Sequence, residues 1–427
     1  MQHRGQESTG IVTIDKGFHR LAAAGLVSEV MKPEALPDLP GNYALGHNRY
    51  ATSGASGNMH CGPTIERHAG IAMAINGNLP NTRLLEEKLA AANINTTALN
   101  DTEMMSNIVA LYRLHGLTVS EAVQQAYPLF EGAFSGITLD EKTRTMVAFR
   151  DECGLRPLSL GQHSDGWVIA SETCAFAPLG TTYVRDVEPG EMVVIDQAGL
   201  HSHQIVKARP HFDIFELIYF AAPDSTMLGK GVHSHRLEFG RRLAQEQPAD
   251  ADIVVPIPNS AKSAAAGYAQ ESGIQLEELL LKNPYIHRTF ILATQKLRDA
   301  AIHDKFRVIQ DRVKGKRIVL VDDSIVRGST TRNLAVMLKK AGAREVHLRI
   351  SSPPIKYPHI YGVDLKSKSE LIAATHSLEK IREQLRVESI GYLSLEGMIA
   401  ATGHPASRFD LSPFNGEYSQ PSHVPLR

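Results

Sequence analysis

The chain has 427 residues, enough for about two or three domains with full cores, and its hydrophobic (43%) and charged (21%) fractions are typical of a soluble globular protein. Its formal net charge of −1 predicts no general attraction to nucleic acid or to an acidic membrane, and its apolar runs are too short to span a bilayer. Residues 1–10 are too polar for a secretory signal, and three widely spaced cysteines indicate neither a disulfide framework nor a metal knuckle, so we expect a cytoplasmic protein.

Up to about residue 205, strand-like and helix-like segments follow one another without regular alternation. The strand-like segments are residues 11–14, 71–75 and 192–195, and the helix-like segments are residues 84–92 and 102–114. This mixed order predicts an α+β fold built from packed layers.

Beyond residue 205, strands and helices alternate. In chain order the pattern predicts a strand at 252–257, a helix at 261–270 that ends near Gly273, a strand at 318–321, a helix at 331–341 that Gly342 stops, and a strand at 344–350. Such alternation predicts an α/β fold with a parallel sheet that binds ligands at the carboxyl ends of its strands. The tail, residues 410–427, is rich in Ser, Pro and Asn and is expected to be loosely ordered.

The most informative segment is residues 318–331. A buried strand ends in the adjacent acids Asp322 and Asp323, and a turn with Gly328 and hydroxyl residues then leads into a helix. The N–H groups of such a turn and of the helix N-terminus can hold a phosphate. The carboxylates can bind a sugar diol or a hard cation. The segment therefore predicts a site for a phosphorylated ribose with Mg²⁺, although two acids that only cap a helix are the simpler alternative.

Two other phosphate-binding motifs are missing from the sequence. Neither G-x-x-x-x-G-K-[ST] nor G-x-G-x-x-G occurs, which disfavours a nucleoside-triphosphate fold and a dinucleotide fold.

The acid-pair segment resembles the signature of type I phosphoribosyltransferases, and in its extended form that of the amidophosphoribosyltransferase family. Further matching motifs occur in order along the chain: QHRGQES (2–8), GHNRY (46–50), NGNL (76–79), DTE (101–103), YFAAPDS (219–225), PIPNS (256–260) and RTFI (288–291). The resemblance implies a glutamine amidotransferase type-2 domain over residues 1–205, a phosphoribosyltransferase domain over 206–409 and a tail over 410–427. It implies an N-terminal-nucleophile hydrolase sandwich, truncated at its N-terminus, followed by a type I phosphoribosyltransferase sheet.

For the transferase half, the resemblance implies a Mg²⁺ site at Ser260, Asp322 and Asp323, where Asn259 stands in place of a usual Asp. Ser260 could instead be only a helix cap. The residues assigned to the 5′-phosphate of phosphoribosyl pyrophosphate are Ser324, Arg327, Gly328, Ser329, Thr330 and Thr331. Arg327 is either a phosphate clamp or a solvated turn residue.

Residues 283–305 resemble a loop that closes over the activated sugar and excludes water. Arg288 is its candidate catalytic residue, with a solvated surface role as the open alternative. Three departures from the family pattern, Pro284, His287 and His303, reduce the charge or flexibility of this loop, so its activity could be weakened or retuned.

For the glutaminase half, the resemblance implies an oxyanion hole at Asn76 and Gly77, and substrate clamps at Arg49 and Asp101. Family members use an N-terminal Cys as nucleophile. This chain begins with Met1 inside the corresponding helix, so we expect no glutamine hydrolysis by the polypeptide as written. Either the recorded start is too late, which we favour, or a short form is real and either uses free ammonia or is a pseudoenzyme.

Some relatives carry an iron–sulfur cluster on four cysteines, which this chain replaces by Phe212–Asp213, His359, Asp410 and Pro413, so no cluster is expected. The expected substrates are phosphoribosyl pyrophosphate and glutamine or ammonia, with no nucleic-acid or membrane partner, in a homo-oligomer. The predicted function is synthesis of 5-phosphoribosylamine, the first step of purine biosynthesis. A non-catalytic sensor of the activated sugar or of nucleotides is the alternative, and a salvage phosphoribosyltransferase is disfavoured by the glutaminase-like half.

Overall fold

The computed structural model describes residues 1–50, 60–283, 306–363, 365 and 367–420. In the first half, antiparallel sheets and helices form packed layers. The strands are β1 (Ser8–Ile14), β2 (Phe18–Ala24), β3 (Tyr43–Arg49), β4 (Thr64–Glu66), β5 (Ile71–Asn81), β6 (Glu131–Asp140), β7 (Met146–Arg150), β8 (Ser159–His163), β9 (Gly166–Ala170), β10 (Thr182–Asp186), β11 (Glu191–Asp196) and β12 (Gly199–Gln204). The helices are α1 (Val27–Val30), α2 (Arg83–Ala91), α3 (Asp101–Leu114) and α4 (Val119–Ala126). The strand orders are β12-β11-β7-β6-β5-β4, β2-β1-β3 and β10-β8-β9.

Strand β5 shows why these layers form. Its apolar side chains alternate between the two faces of the six-stranded sheet, as the pleat of a strand requires. Ile71, Met73 and Ile75 pack against helices α2 to α4. Ala72 and Ala74 face the sheet β2-β1-β3. Helices, six-stranded sheet and three-stranded sheet therefore stack in that order, and the predicted α+β fold is confirmed.

The second half is built around a parallel sheet. Its strands are β13 (Phe212–Asp213), β14 (Thr226–Met227), β15 (Lys230–Gly231), β16 (Ile253–Pro256), β17 (Gln275–Leu276), β18 (Leu280–Lys282), β19 (Phe306–Val308), β20 (Arg317–Asp322), β21 (Glu345–Ile350), β22 (Ser389–Tyr392) and β23 (Phe409–Asp410). Its α-helices are α5 (Val232–Glu246), α6 (Lys262–Ser272), α7 (Gln310–Val313), α8 (Ser329–Lys340), α9 (Ile372–Thr375), α10 (Leu378–Leu385), α11 (Leu395–Thr402) and α12 (Ser412–Asn415). A π-helical turn spans Glu216–Phe220, and short 3₁₀ helices span Gln2–Arg4, Pro33–Asp38, Tyr127–Leu129, Thr173–Ala175, Ala177–Leu179, Lys368–Glu370 and Ala406–Arg408.

The parallel sheet, in the order β17-β16-β20-β21-β22, confirms the predicted α/β layout. Its strand β20 is buried on both faces, as the apolar run predicted. Because Pro256 pairs with Val321, the loops that follow β16 and β20 lie side by side at the carboxyl edge of the sheet. The helix predicted to begin at residue 331 begins at Ser329, because Gly328 ends the preceding turn with a left-handed φ of 75°.

The prediction of a loosely ordered tail is wrong for residues 410–420. Asp410 is buried in β23, which pairs with β13. The Phe414 ring stacks on Phe215 with centroids 5.8 Å apart, and the Tyr418 hydroxyl donates to a backbone carbonyl. These buried rings outweigh the polar composition of the segment. Residues 421–427 lie outside the described residues.

Among the residues that the structure describes, none of the helices has the length and apolar character needed to cross a membrane.

Candidate active site

The acid pair lies at the carboxyl edge of the parallel sheet. Asp322 is the last residue of β20, Asp323 follows it, and both side chains are buried. The Thr331 hydroxyl donates to Asp322 Oδ2 (3.0 Å), and the Ser324 hydroxyl donates to Asp323 Oδ1 (2.7 Å). The strand end and the first turn of α8 thus fix both carboxylates in place.

Two residues from other elements complete the surroundings of these acids. The Ser260 hydroxyl, in the loop after β16, hydrogen-bonds Asp323, and the Arg236 guanidinium on α5 lies near enough to act on it electrostatically. Burial raises the pKa of Asp322 well above its ordinary value, and the adjacent Asp323 carboxylate raises it further. Burial also raises the pKa of Asp323, although Ser260, Ser324 and Arg236 partly oppose this effect.

The predicted metal trio of Ser260, Asp322 and Asp323 is therefore brought together in space. Its donors are two carboxylates and a hydroxyl, which are the hard oxygen ligands that Mg²⁺ prefers. Two adjacent carboxylates that repel each other in a buried site are ionised together more readily when a divalent cation lies between them. The residues present fit the implied Mg²⁺.

The candidate phosphate cradle is the N-terminus of α8. The first helical hydrogen bond runs from the Arg332 N–H to the Gly328 carbonyl, so the N–H groups of Ser329, Thr330 and Thr331 precede the helical ladder. Within the described residues no side chain caps this end. These N–H groups and the helix dipole suit an anion. The Thr331 side chain itself is buried against Asp322, so this residue can offer a phosphate only its backbone.

The sequence also predicts two arginines for the transferase site, Arg327 and Arg288. Arg327 is exposed, and its guanidinium forms an ion pair with Glu370 at 2.7 Å, which favours the surface role over the phosphate clamp. Arg288 lies outside the described residues, as do residues 284–305 of the predicted closing loop. On either side of that gap, β18 and β19 pair as antiparallel strands.

In the first half, the structure gathers the predicted substrate clamps near the end of β5. The Asp101 carboxylate, at the start of α3, accepts the Leu79 N–H at 3.2 Å. Burial raises the pKa of Asp101, while backbone N–H groups and the nearby Arg49 charge lower it. Arg49 donates to the His60 carbonyl at 3.1 Å. A cation and an anion thus face one region, as recognition of an amino acid requires.

The predicted oxyanion-hole residues occupy adjacent positions in β5. Asn76 Nδ2 donates to the Ser171 hydroxyl at 3.4 Å. Gly77 must be glycine here, because a Cβ would lie 2.0 Å from the Ala133 carbonyl oxygen on β6. Close packing against β6 therefore requires glycine at this position, whether or not Gly77 takes part in catalysis.

Sequence reasoning missed three residues of these surroundings. His47 lies half-buried next to the clamp, and desolvation of its ring followed by the Arg49 charge lowers its pKa to about 4. Ser171 and Glu172 follow β9 and approach from a different sheet. His47 stands inside the GHNRY motif and could have been singled out. Nothing in the sequence around Ser171 and Glu172 indicates their long-range contacts.

The positions compared with cluster cysteines form a buried polar group. His359 Nε2 lies 3.2 Å from Asp213 Oδ2, and Arg156 Nη1 lies 3.1 Å from the same oxygen. Asp410 accepts hydrogen bonds from the hydroxyls of Ser412 and Ser419, each at 2.7 Å. Ion pairs and hydrogen bonds thus occupy this region, and the Arg156–Asp213 pair joins the two halves of the chain.

The chain is similar in sequence to several known proteins. The sequence profile of a glutamine amidotransferase domain matches residues 47–178. The chain is 42% identical over 436 residues to the amidophosphoribosyltransferase of Mycobacterium leprae, covering 98% of this chain and 77% of that protein. It is 40% identical over 429 residues to that of Bacillus subtilis, covering 98% of this chain and 89% of that protein.

Two solved structures are similar over the whole chain. One is the glutamine phosphoribosylpyrophosphate amidotransferase of Bacillus subtilis in complex with ADP and GMP, with a TM-score of 0.91, 38% identity, and coverage of 100% of this chain and 94% of that one. The other, described as the allosteric regulatory enzyme of purine biosynthesis, has a TM-score of 0.92 and 39% identity and covers 100% of this chain and 93% of that one. Both halves of the fold are therefore present in a single solved relative.

Proposed function

Because the chain belongs to the amidophosphoribosyltransferase family, we propose that it forms 5-phosphoribosylamine from phosphoribosyl pyrophosphate and ammonia, the first step of purine biosynthesis. It is then a pentosyltransferase. The similarity extends over 98% of the chain, including both halves, which favours the enzyme over a non-catalytic sensor or a salvage phosphoribosyltransferase.

The observation that carries this proposal is the buried acid pair beside the uncapped N-terminus of α8. Ser260, Asp322 and Asp323 would hold Mg²⁺. The N–H groups of Ser329 to Thr331 would bind the 5′-phosphate. Bound there, Mg²⁺ would neutralise charge on the departing pyrophosphate.

In the reaction, the nitrogen of ammonia attacks C1 of the ribose while the bond from C1 to pyrophosphate oxygen breaks. Pyrophosphate leaves with the bonding electron pair, and the new ammonium group loses a proton to solvent. Positive charge develops on the sugar as this bond breaks. Helix α8 would hold the ribose in place by its phosphate, while the acid pair and Ser260 would hold Mg²⁺.

The glutaminase half has a proposed role in binding glutamine. Arg49 and Asp101 would hold its carboxylate and ammonium groups, and Asn76 with the Gly77 N–H would form the oxyanion hole. Their grouping at the end of β5 supports this assignment. We also propose a boundary between the domains near residue 205, a role for Arg288 in closure, a homo-oligomer and a cytoplasmic location, all on the family resemblance.

The test is pyrophosphate release from phosphoribosyl pyrophosphate and Mg²⁺, with ammonium or glutamine as the nitrogen source. We expect release with ammonium as the nitrogen source. Asp322→Asn and Asp323→Asn should each reduce the rate on the order of 100-fold or more, because an amide holds the cation poorly.

Asp252→Asn is the matched control. Asp252 lies at the amino edge of the same sheet and accepts hydrogen bonds from Arg317. Its substitution should leave the rate unchanged. Equal rates for the two site variants and the control would contradict the proposed function.

A further inference from the structure

Glu172 is a buried carboxylate that contacts both halves of the molecule. Its Oε1 accepts from His3 Nε2 (2.7 Å) and Arg4 Nη1 (2.6 Å) in the first half. Its Oε2 accepts from the Ala222 N–H (2.8 Å) and the Ser225 hydroxyl (2.7 Å) in the second half. Oε2 also lies 3.9 Å from the Cys174 thiol of the first half, so all the second-half donors meet at this one oxygen.

The electrostatics keep this carboxylate charged. Burial by itself would raise the pKa of Glu172, but His3, Arg4 and Ser225 hold it at about 2. Arg4 is also bound by both oxygens of Glu216. The acid is consequently ionised throughout the working pH range, and two strong hydrogen-bond donors contact each of its oxygens.

On the glutaminase side, Glu172 follows directly after Ser171. The Ser171 hydroxyl accepts from Asn76, the proposed oxyanion-hole residue. A shift of Glu172 would therefore also move Ser171, which contacts Asn76.

On the transferase side, hydrogen bonds lead from Glu172 to the acid pair. The Val232 N–H donates to the Ser225 carbonyl (2.8 Å), and the His233 N–H donates to the Pro223 carbonyl (2.9 Å), so this segment holds the first turn of α5. His233 Nδ1 then lies 2.8 Å from the Ser263 hydroxyl, in the first turn of α6. Ser263 is three residues beyond Ser260, which hydrogen-bonds Asp323.

We propose that Glu172 is a positioning residue that couples the two sites, holding the segment Ala222–Ser225 and, through α5 and α6, the Ser260 loop at the acid pair. This inference rests on the proposed function. The sequence motif at residues 219–225 thereby acquires a role, since it links the glutaminase half to the metal-binding loop.

Glu172→Gln is the informative substitution. A glutamine side chain has one acceptor oxygen, so its NH₂ group must face donors on one side. The Arg4 charge attracts the oxygen, and the NH₂ group then faces the Ala222 N–H. We therefore expect the transferase side to be released. Ser225→Ala is a milder variant that removes one bond of the same side.

The measurement is the KM for phosphoribosyl pyrophosphate and the kcat in the ammonium-dependent reaction, which needs no glutaminase nucleophile. For Glu172→Gln we expect KM to rise about tenfold and kcat to change less than about threefold, with a smaller rise in KM for Ser225→Ala. In a double-mutant cycle, Ser263→Ala should be non-additive with Glu172→Gln, because both act on the same path.

Glu191→Gln is the matched control. Glu191 is equally buried and accepts from Arg185, Ser202 and the Glu188 N–H, all within the first half. It should lose stability as Glu172→Gln does, but keep the wild-type KM. If Glu172→Gln and Glu191→Gln had equal KM values, or if Glu172→Gln and Ser263→Ala were additive, the coupling role of Glu172 would be overturned. The proposed function would still stand in that case, provided that the wild-type protein turns over substrate. A wild-type chain with no turnover would overturn both.

Discussion

At the scale of single residues, the transferase site contains two buried carboxylates whose ionisation costs free energy. Asp322 and Asp323 are buried side by side, and burial raises the pKa of each. Hydroxyl donors and the nearby Arg236 stabilise the ionised carboxylates only in part. A bound cation would stabilise them further, so the pair attracts one. Such local conflict is expected at functional sites, where stability is exchanged for activity.

Asp322→Asn should stabilise the substrate-free protein at neutral pH. The pKa of Asp322 is higher in the folded state than in the unfolded chain, so its contribution to stability is fully present at low pH and is lost as the pH rises through the folded pKa. The variant should therefore gain about 1 kcal/mol at pH 8 and little at pH 4. Thermal unfolding at both pH values measures this gain.

Asp252→Asn should instead lower the stability at neutral pH. Its hydrogen bonds from Arg317 lower the pKa of Asp252 to about 2, so the carboxylate stabilises the fold above its unfolded pKa, and that stabilisation is lost as the pH falls. A gain for Asp322→Asn that did not depend on pH would show that buried charge is not its cause.

At the scale of elements, helix α8 depends on the turn that precedes it. Gly328 adopts a φ of 75°, and a Cβ at this position would lie 3.0 Å from Leu385 Cδ2 and 3.2 Å from Ile372 Cδ1. The turn therefore requires glycine for two reasons, backbone conformation and close packing against α9 and α10. It places the free N–H groups of the helix next to the acid pair.

Gly328→Ala should lower both stability and affinity for phosphoribosyl pyrophosphate. A left-handed conformation costs a residue with a side chain about 1–2 kcal/mol, and the contacts with Leu385 and Ile372 add to that cost. Denaturant unfolding and a binding titration measure the two effects.

Gly315→Ala is the matched control for this helix. Gly315 has a φ of 76°, and nothing lies within 4 Å of the added Cβ. It should show the backbone cost alone and bind the substrate normally. If Gly328→Ala and Gly315→Ala gave the same stability and the same affinity, the packing of Gly328 against Leu385 and Ile372 would have no effect on either property.

At the scale of the whole molecule, buried ion pairs join the two halves. Arg156, which precedes β8, lies 3.1 Å from Asp213 and 3.0 Å from Glu216, and its Nε donates to the Tyr361 carbonyl at 3.1 Å. Arg4 reaches the same Glu216 from the N-terminal 3₁₀ helix. These buried side chains of the two halves form their ion pairs only when both halves are folded and packed together.

Arg156→Met should destabilise the protein by about 3–5 kcal/mol, because it removes a cationic partner from two buried carboxylates, Asp213 and Glu216. Chemical denaturation followed by fluorescence and by circular dichroism measures the loss and shows whether the halves still unfold together. Arg83→Met is the control, since the Arg83–Glu87 pair is exposed and contributes at most about 0.5 kcal/mol. Equal losses for both variants would contradict the joining role of Arg156.

The sequence by itself determined the mixed first half, the parallel second half and the acid pair, because strand and helix periodicity and turn chemistry are local properties. The family motifs also identified the likeness that the comparisons confirmed. The predicted site residues otherwise remain proposals, and Arg288 lies outside the described residues.

Only the tertiary structure decided which distant residues meet. It placed Ser260 on Asp323, turned Arg327 towards Glu370, packed residues 410–420 against β13, and made Glu172 a contact between the halves. None of these contacts leaves a periodic trace in the sequence. They depend on the paths of segments far apart in the chain, which are set by packing of the whole molecule rather than by local preference.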